Sequence, residues 1–362
     1  MKFKGGNYFN IVLVLLNFLQ LSLTDDATLA SRTLRQTAFC PSNSQCVPIS
    51  SCPILRDVLN SECVISSRIG KLGCGFQGSG LVCCPSYDDS NNNIAQDRRD
   101  KANTKCGQSS IQGEYNYDGI GAYPFVARVG FRNSINGEIK YPCTGSIISN
   151  RVILTAAHCA LAKATNFKLY SVRVGEYLTN TDIDCGEEFC GLPAKDVGIS
   201  HVVVHPGYQK DTYQHNIALL VLRQNLNYTV TTQPICLPET WLEPTNNNVL
   251  VGWGKAAGQR DTPPRQQSIR VPIVNLQQCK NVYGNTLPIS DDQLCAGGDA
   301  GKDACSGFGG APLLTRSGDS HYQVGILSFG SDQCGAPGVP SVYVDVRKYS
   351  QWIKENIPLS YN

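Results

Sequence analysis

The chain has almost no surplus of charge of either sign. Its 362 residues carry 31 Lys and Arg against 29 Asp and Glu, a formal net charge of +2. Removal of a leader carrying Lys2 and Lys4 would cancel even that. A chain with no global field does not draw in nucleic acid or acidic lipid, and both kinds of partner are set aside. Long apolar runs are equally scarce. The best candidate spans Ile11 to Leu23, is interrupted by Asn17 and Gln20, and is too short to cross a bilayer. No other stretch is apolar and long enough, so no membrane anchor is expected. Residues 1–24 read instead as a signal peptide, with a basic start and a short apolar core. Small residues permit cleavage after Thr24 or after Ala30.

Cysteine is abundant. Seventeen cysteines behind a signal peptide imply a secreted disulfide framework, and an odd count leaves at least one without an intrachain partner. Seven of them crowd into Cys40, Cys46, Cys52, Cys63, Cys74, Cys83 and Cys84. A segment that short buries little core and needs disulfides to fold. Residues 87–105 follow as a polar linker that includes Asp88-Asp89-Ser90-Asn91-Asn92-Asn93. Arg98-Arg99 within it is either an exposed proteolysis site or a solvated charge pair.

From Cys106 the texture changes. Short β-branched and aromatic runs alternate with Gly, Pro and Asn turns: Phe125 to Phe131, Ser146 to Thr155, Ser171 to Val174, Val202 to Val204, Ile217 to Leu222 and Val324 to Phe329. Many short strands with regular turns predict an all-β barrel or sandwich. Val346, Tyr349, Trp352, Ile353 and Ile357 then recur at helical spacing.

Two resemblances organise these observations. Cys46-Val47-Pro48, Cys74-Gly75-Phe76 and Leu81-Val82-Cys83-Cys84-Pro85 resemble the clip domain of arthropod serine proteases. Leu154-Thr155-Ala156-Ala157-His158-Cys159, Gln233-Pro234-Ile235-Cys236-Leu237-Pro238, Gly252-Trp253-Gly254 and Cys305-Ser306-Gly307-Phe308-Gly309-Gly310-Ala311-Pro312 resemble, in order and spacing, the trypsin-like serine proteases. The implied architecture is all-β: a clip domain over 38–86, a linker over 87–105, and a trypsin-like double β-barrel with a C-terminal helix over 106–362. The resemblance also implies disulfides. In the clip domain they join Cys40 to Cys83, Cys46 to Cys74 and Cys52 to Cys84. In the barrel region they join Cys106 to Cys236, Cys143 to Cys159, Cys279 to Cys295 and Cys305 to Cys334. Cys185 and Cys190 are close enough in sequence to close their own loop. Cys63 remains, as a free thiol or as a link to another chain that would make an oligomer.

Acyl transfer on this fold needs a hydroxyl nucleophile, an imidazole base, a carboxylate that orients the imidazole, and two backbone N–H groups for the oxyanion. By resemblance His158 is the base, Asn216 stands where the carboxylate belongs, and Gly309 stands where the nucleophilic serine belongs. The oxyanion loop is Gly307, Phe308 and Gly309, with Phe308 in place of the aspartate that receives a freed N-terminus. The family's cleavage would free Ile111-Gln112-Gly113-Glu114, yet Ser110 precedes it rather than Arg or Lys. Ser306 is three residues from the nucleophile position and is not expected to replace it. A vestigial S1 pocket is expected at Asp303, Gly330 and Ser341, narrowed by Ser341.

Asn227-Tyr228-Thr229 is an N-glycosylation sequon. The loop from Glu176 with Asp182, Asp184, Glu187 and Glu188 is a weak calcium candidate against the plainer reading of a solvated acidic loop. No other cofactor is expected. The resemblance thus implies a secreted, non-catalytic serine protease homolog. Its expected partners are clip-domain proteases and prophenoloxidase-type cascade proteins of arthropod haemolymph, in melanisation. The alternatives are a decoy inhibitor of such a cascade, as in a venom, and an active endopeptidase.

Overall fold

The computed structural model describes residues 44–48, 51, 81–85, 106–109, 118–181, 183–185, 190–239, 242–284, 286–331 and 334–358. The signal peptide, Cys40, Cys52, Cys63, Cys74, the linker with Arg98-Arg99, Ser110, Ile111, Asp182, Glu187 and Glu188 lie outside them. Of the clip cysteines, only Cys46 is described with its side chain, and it is disulfide-bonded.

The chain divides into two compact units. In the first, β1 (Ser44–Pro48) pairs antiparallel with β2 (Leu81–Pro85), with Cys46 opposite Cys83.

The second unit begins with a six-stranded closed barrel. Its strands are β3 (Val126–Asn133), β4 (Ile139–Ser149), β5 (Val152–Thr155), β6 (Phe167–Val174), β7 (Lys195–Val204) and β8 (Ala218–Leu222), in the order β3-β4-β5-β8-β7-β6. Closure removes free edges. The apolar strands β5 and β8 are buried along their whole length, and their Val, Ile and Leu side chains fill the barrel with Val129, Ile147, Val172 and Val197. The run Ser146 to Thr155, read from sequence as one strand, is a hairpin instead. The polar pair Asn150-Arg151 breaks it into the turn between β4 and β5.

Strands β9 (Asn248–Gly252), β11 (Gln267–Val271), β12 (Ile273–Val274), β13 (Gln293–Gly297), β15 (Pro312–Ser317), β16 (Ser320–Phe329) and β17 (Pro340–Asp345) form a seven-stranded sheet. Its order is β11-β9-β15-β16-β17-β13-β12, yet β11 also touches β13, so the sheet curls on itself. A short ribbon, β10 (Lys255–Ala256) with β14 (Ala304–Ser306), carries the chain into the Gly-rich loop. The described helices are α1 (Ala157–Ala160), α2 (Leu276–Tyr283) and α3 (Ser350–Asn356). The predicted terminal helix is shorter than its apolar period. Val346–Tyr349 forms a 3-10 turn first, with the Asp345 carboxylate accepting from the Arg347 N–H. Val346, Tyr349 and Ile353 pack into the core of the closed barrel.

Five disulfides lie among the described residues: Cys106–Cys236, Cys143–Cys159, Cys185–Cys190, Cys279–Cys295 and Cys305–Cys334. No described helix is long and apolar enough to cross a membrane.

Candidate active site

The cleft assembles from both sheets. The buried strand β5 delivers His158 on the single turn of α1. Asn216 immediately precedes Ile217 and β8, and is fully buried. The Asn216 amide is fixed by three bonds. Its Oδ1 accepts from the His158 backbone N–H at 2.9 Å, and its Nδ2 donates to His158 Nδ1 at 2.9 Å and to Ser328 Oγ at 2.8 Å. A backbone N–H can only donate, so the amide orientation is set, and His158 Nδ1 must accept. The neutral ring therefore carries its proton on Nε2. An imidazole in that state cannot take a proton at Nε2. Burial pushes the His158 pKa below its ordinary value.

Across the cleft, the loop 305–311 is held by the Cys305–Cys334 bond and by backbone bonds. Thr144 N donates to Gly309 O at 2.9 Å, Gly310 N to Leu327 O at 3.0 Å, and Ala311 N to Phe308 O at 2.9 Å. Gly307 and Gly310 adopt φ of 83° and 76°, a region that glycine enters without steric cost. A Cβ built on Gly309 would lie 3.0 Å from His158 Nε2. The chain thus aims position 309 at the imidazole and carries no side chain there. In the space left, His158 Nε2 sits 3.4 Å from Cys159 Sγ.

Phe308 is 1 % exposed. Its ring covers the backbone of Gly252 and Gly254, and a Cβ on Gly252 would fall 2.9 Å from Phe308 Cδ1. Glycines flanking Trp253 make room for an aromatic ring where a carboxylate was expected by resemblance.

Asp303 is also buried, at 2 % exposure. Ser341 Oγ lies 2.9 Å from Asp303 Oδ1 and 3.0 Å from Oδ2, and Ala304 N donates to Oδ1 at 2.8 Å. Burial pushes the Asp303 pKa up, against these bonds. A Cβ on Gly330 would lie 2.9 Å from Ser341 Oγ, so the serine side chain stands between the open wall and the carboxylate. The cleft also contains residues with no motif signal. Tyr213, at φ of 55°, sets its ring 5.9 Å from His158 and 5.3 Å from Phe329. Only the fold brings these rings together.

Of the calcium candidates, Glu176 and Asp184 are among the described residues. Glu176 is buried beside two guanidiniums, with Oε2 2.7 Å from Arg173 Nε and 4.0 Å from Arg128 Nη1. Asp184 Oδ2 accepts from the backbone N–H groups of Tyr177 and Leu178. Asp184 Oδ1 accepts from the Thr181 hydroxyl, whereas the buried Glu176 Oε1 has no hydrogen-bond partner. The metal-spaced group among the described residues is Cys143, His158 and Cys159, but its two sulfurs are bonded to each other and offer no thiolate. Asn227 is exposed.

The family model described as Trypsin matches residues 111–353. Phenoloxidase-activating factor 1 of Holotrichia diomphalia is 36 % identical over 338 residues, covering 87 % of this chain and 91 % of the relative. Phenoloxidase-activating factor 3 of the same organism is 34 % identical, over 86 % and 90 %. CLIP domain-containing serine protease B4 of Anopheles gambiae is 31 % identical, over 86 % and 89 %.

Proposed function

The chain belongs to the trypsin family, in its clip-domain serine protease branch, and on that premise we propose that it is a secreted homolog that binds partners in a proteolytic cascade without cleaving peptides itself. The observation that carries this reading is the Asn216 amide donating to His158 Nδ1 opposite a glycine at 309. Each change removes one element of acyl transfer. Loss of the serine costs about 10⁶ in turnover in a comparable protease, and exchange of the orienting carboxylate for an amide about 10⁴. Phe308 adds a third loss, since its buried ring offers no charge to a freed N-terminus.

Two relatives bear the name phenoloxidase-activating factor. That naming supports a role as a binding regulator of phenoloxidase activation, with clip-domain proteases as partners. In this reading residues 38–86 form the clip module, held by Cys40–Cys83, Cys46–Cys74 and Cys52–Cys84. Residues 87–105 are the linker in which cutting switches the molecule, and Asn227 carries a glycan. The leader 1–24 directs secretion.

The test has two parts. Purified full-length protein is assayed on arginine ester substrates with and without a serine-directed covalent inhibitor. Turnover that the inhibitor abolishes would overturn the non-catalytic reading. The protein is then added to a reconstituted phenoloxidase cascade. Acceleration supports the cofactor role, slowing assigns a decoy, and no change overturns the cascade role.

A further inference from the structure

The side-chain position left empty at 309 faces a disulfide as well as an imidazole. A Cβ built on Gly309 would lie 3.0 Å from His158 Nε2, 3.5 Å from Cys159 Sγ and 3.7 Å from Cys143 Sγ. The last two are ordinary van der Waals contacts, so a serine here would cover both sulfurs. With glycine they are uncovered on the cleft side. Gly309 and His158 are both half-buried, so the position stays open to solvent.

The ring proton completes the arrangement. Asn216 Nδ2 donates to His158 Nδ1, so the neutral ring has its one N–H at Nε2. Nε2 lies 3.4 Å from Cys159 Sγ. A serine hydroxyl would otherwise accept from this nitrogen, and Gly309 supplies none. The imidazole therefore points a donor at one sulfur of the Cys143–Cys159 bond. The two sulfurs are not equivalent. Cys143 is 8 % exposed, whereas Cys159 is fully buried. A nucleophile from the cleft meets the exposed sulfur, and the buried one then leaves with the charge. The leaving sulfur is the one that faces the N–H. Exchange is faster when the departing thiolate is stabilised, and a fixed donor does this without reorganisation.

We propose that Cys143 is a thiol-exchange site, at which a low-molecular-weight thiolate attacks Cys143 Sγ and Cys159 leaves toward the His158 N–H. One bond forms between the incoming sulfur and Cys143 Sγ. The Cys143–Cys159 bond breaks, and its electron pair stays on Cys159 Sγ. The neutral imidazole keeps its proton and acts as a hydrogen-bond donor. The proton released when the small thiol ionised returns through solvent to Cys159. A second small thiol can then displace Cys143, so that two thiols are oxidised to one disulfide while the Cys143–Cys159 pair is reduced. The consequence is local, since this bond ties α1 to β4 while β4 and β5 remain paired. The proposal shares the geometry of the non-catalytic reading but needs no cascade partner, and ester turnover is not its readout.

The test incubates the folded, full-length protein with millimolar glutathione, blocks free thiols and maps every cysteine by mass spectrometry. The mixed disulfide should form on Cys143, with a free thiol on Cys159. Cys279–Cys295 joins two fully buried cysteines, so it reports global opening and should stay intact. His158→Ala should slow formation of the Cys143 adduct about tenfold, the worth of one hydrogen bond to a charged sulfur. Gly309→Ser covers the sulfurs again and should slow it at least as much. That variant decides the matter if His158→Ala fails to fold. An adduct on Cys159, no adduct at millimolar glutathione, or an unchanged or faster rate in either variant with Cys279–Cys295 intact would each overturn the proposal.

Discussion

Asn216 Nδ2 lies 2.9 Å from His158 Nδ1, and both groups are held so that the amide donates and the ring accepts. This single bond decides which ring nitrogen carries the proton. It makes repair of the nucleophile alone insufficient. Gly309→Ser should give a chain about 10⁴-fold slower than the double variant Gly309→Ser with Asn216→Asp, assayed on an arginine ester. The Cβ of the new serine arrives 3.0 Å from Nε2, so the imidazole must also shift by a few tenths of an ångström. Equal rates above background for the single and double variants would contradict the tautomer assignment.

Ser341 predicts how poorly the cleft holds a basic side chain. Its hydroxyl bridges both oxygens of Asp303, the carboxylate that a guanidinium would otherwise meet. Ser341→Gly should tighten benzamidine binding at least about tenfold, measured by calorimetry. Unchanged affinity would mean that the serine is no barrier.

Phe308 ties the loop to the curled sheet through packing. Phe308→Ala should lower unfolding free energy by about 3–5 kcal/mol in a denaturant titration. Gly254→Ala should be damaging by a different route, because its methyl would overlap Phe308 and the Ser306 carbonyl oxygen. Phe308→Asp should not restore an N-terminal switch. It would place a buried carboxylate with no assigned partner, and it should destabilise the chain at least as much as the alanine.

The half-buried imidazoles give a pH dependence. His158 and His321 both have pKa values lowered chiefly by burial. A histidine whose folded pKa is depressed contributes stability that is complete above its unfolded value of about 6.5 and lost as pH falls toward the folded value. The denaturant midpoint should therefore fall between pH 7.5 and pH 5.5. Glu176 and Asp303, raised by burial, act with opposite sign, but in a window that opens upward from the ordinary carboxylate range. His321→Gln should flatten the slope near pH 6. An unchanged slope would remove His321 from the account.

The fold class was legible because its signals are local and repeated. Val152 to Thr155 and Ala218 to Leu222 are short β-branched and leucine-rich runs, and both are buried strands. The C-terminal helix was legible too, though apolar period alone does not distinguish the 3-10 turn Val346–Tyr349 from the α-helix that follows it. Motif register pointed to His158, Asn216 and Gly309, and folding brings them to one cleft. The direction of the Asn216 amide was not legible. It depends on a backbone N–H and on Ser328, which is 112 residues away. The burial of Glu176 against Arg173 was not legible either, since it depends on strand pairing.

One covalent feature bears on what cutting can do. Cys106 is bonded to Cys236, and around it Gly107 N donates to Pro234 O while His321 N donates to Gly107 O. Any scission between Cys106 and the start of β3 therefore releases nothing. The product is a two-chain molecule of unchanged mass apart from one water, which separates only on reduction. The preceding segment stays at a fixed stoichiometry of one to the barrel that follows. Cutting at that point changes the freedom of two ends, and its effects do not dilute with concentration.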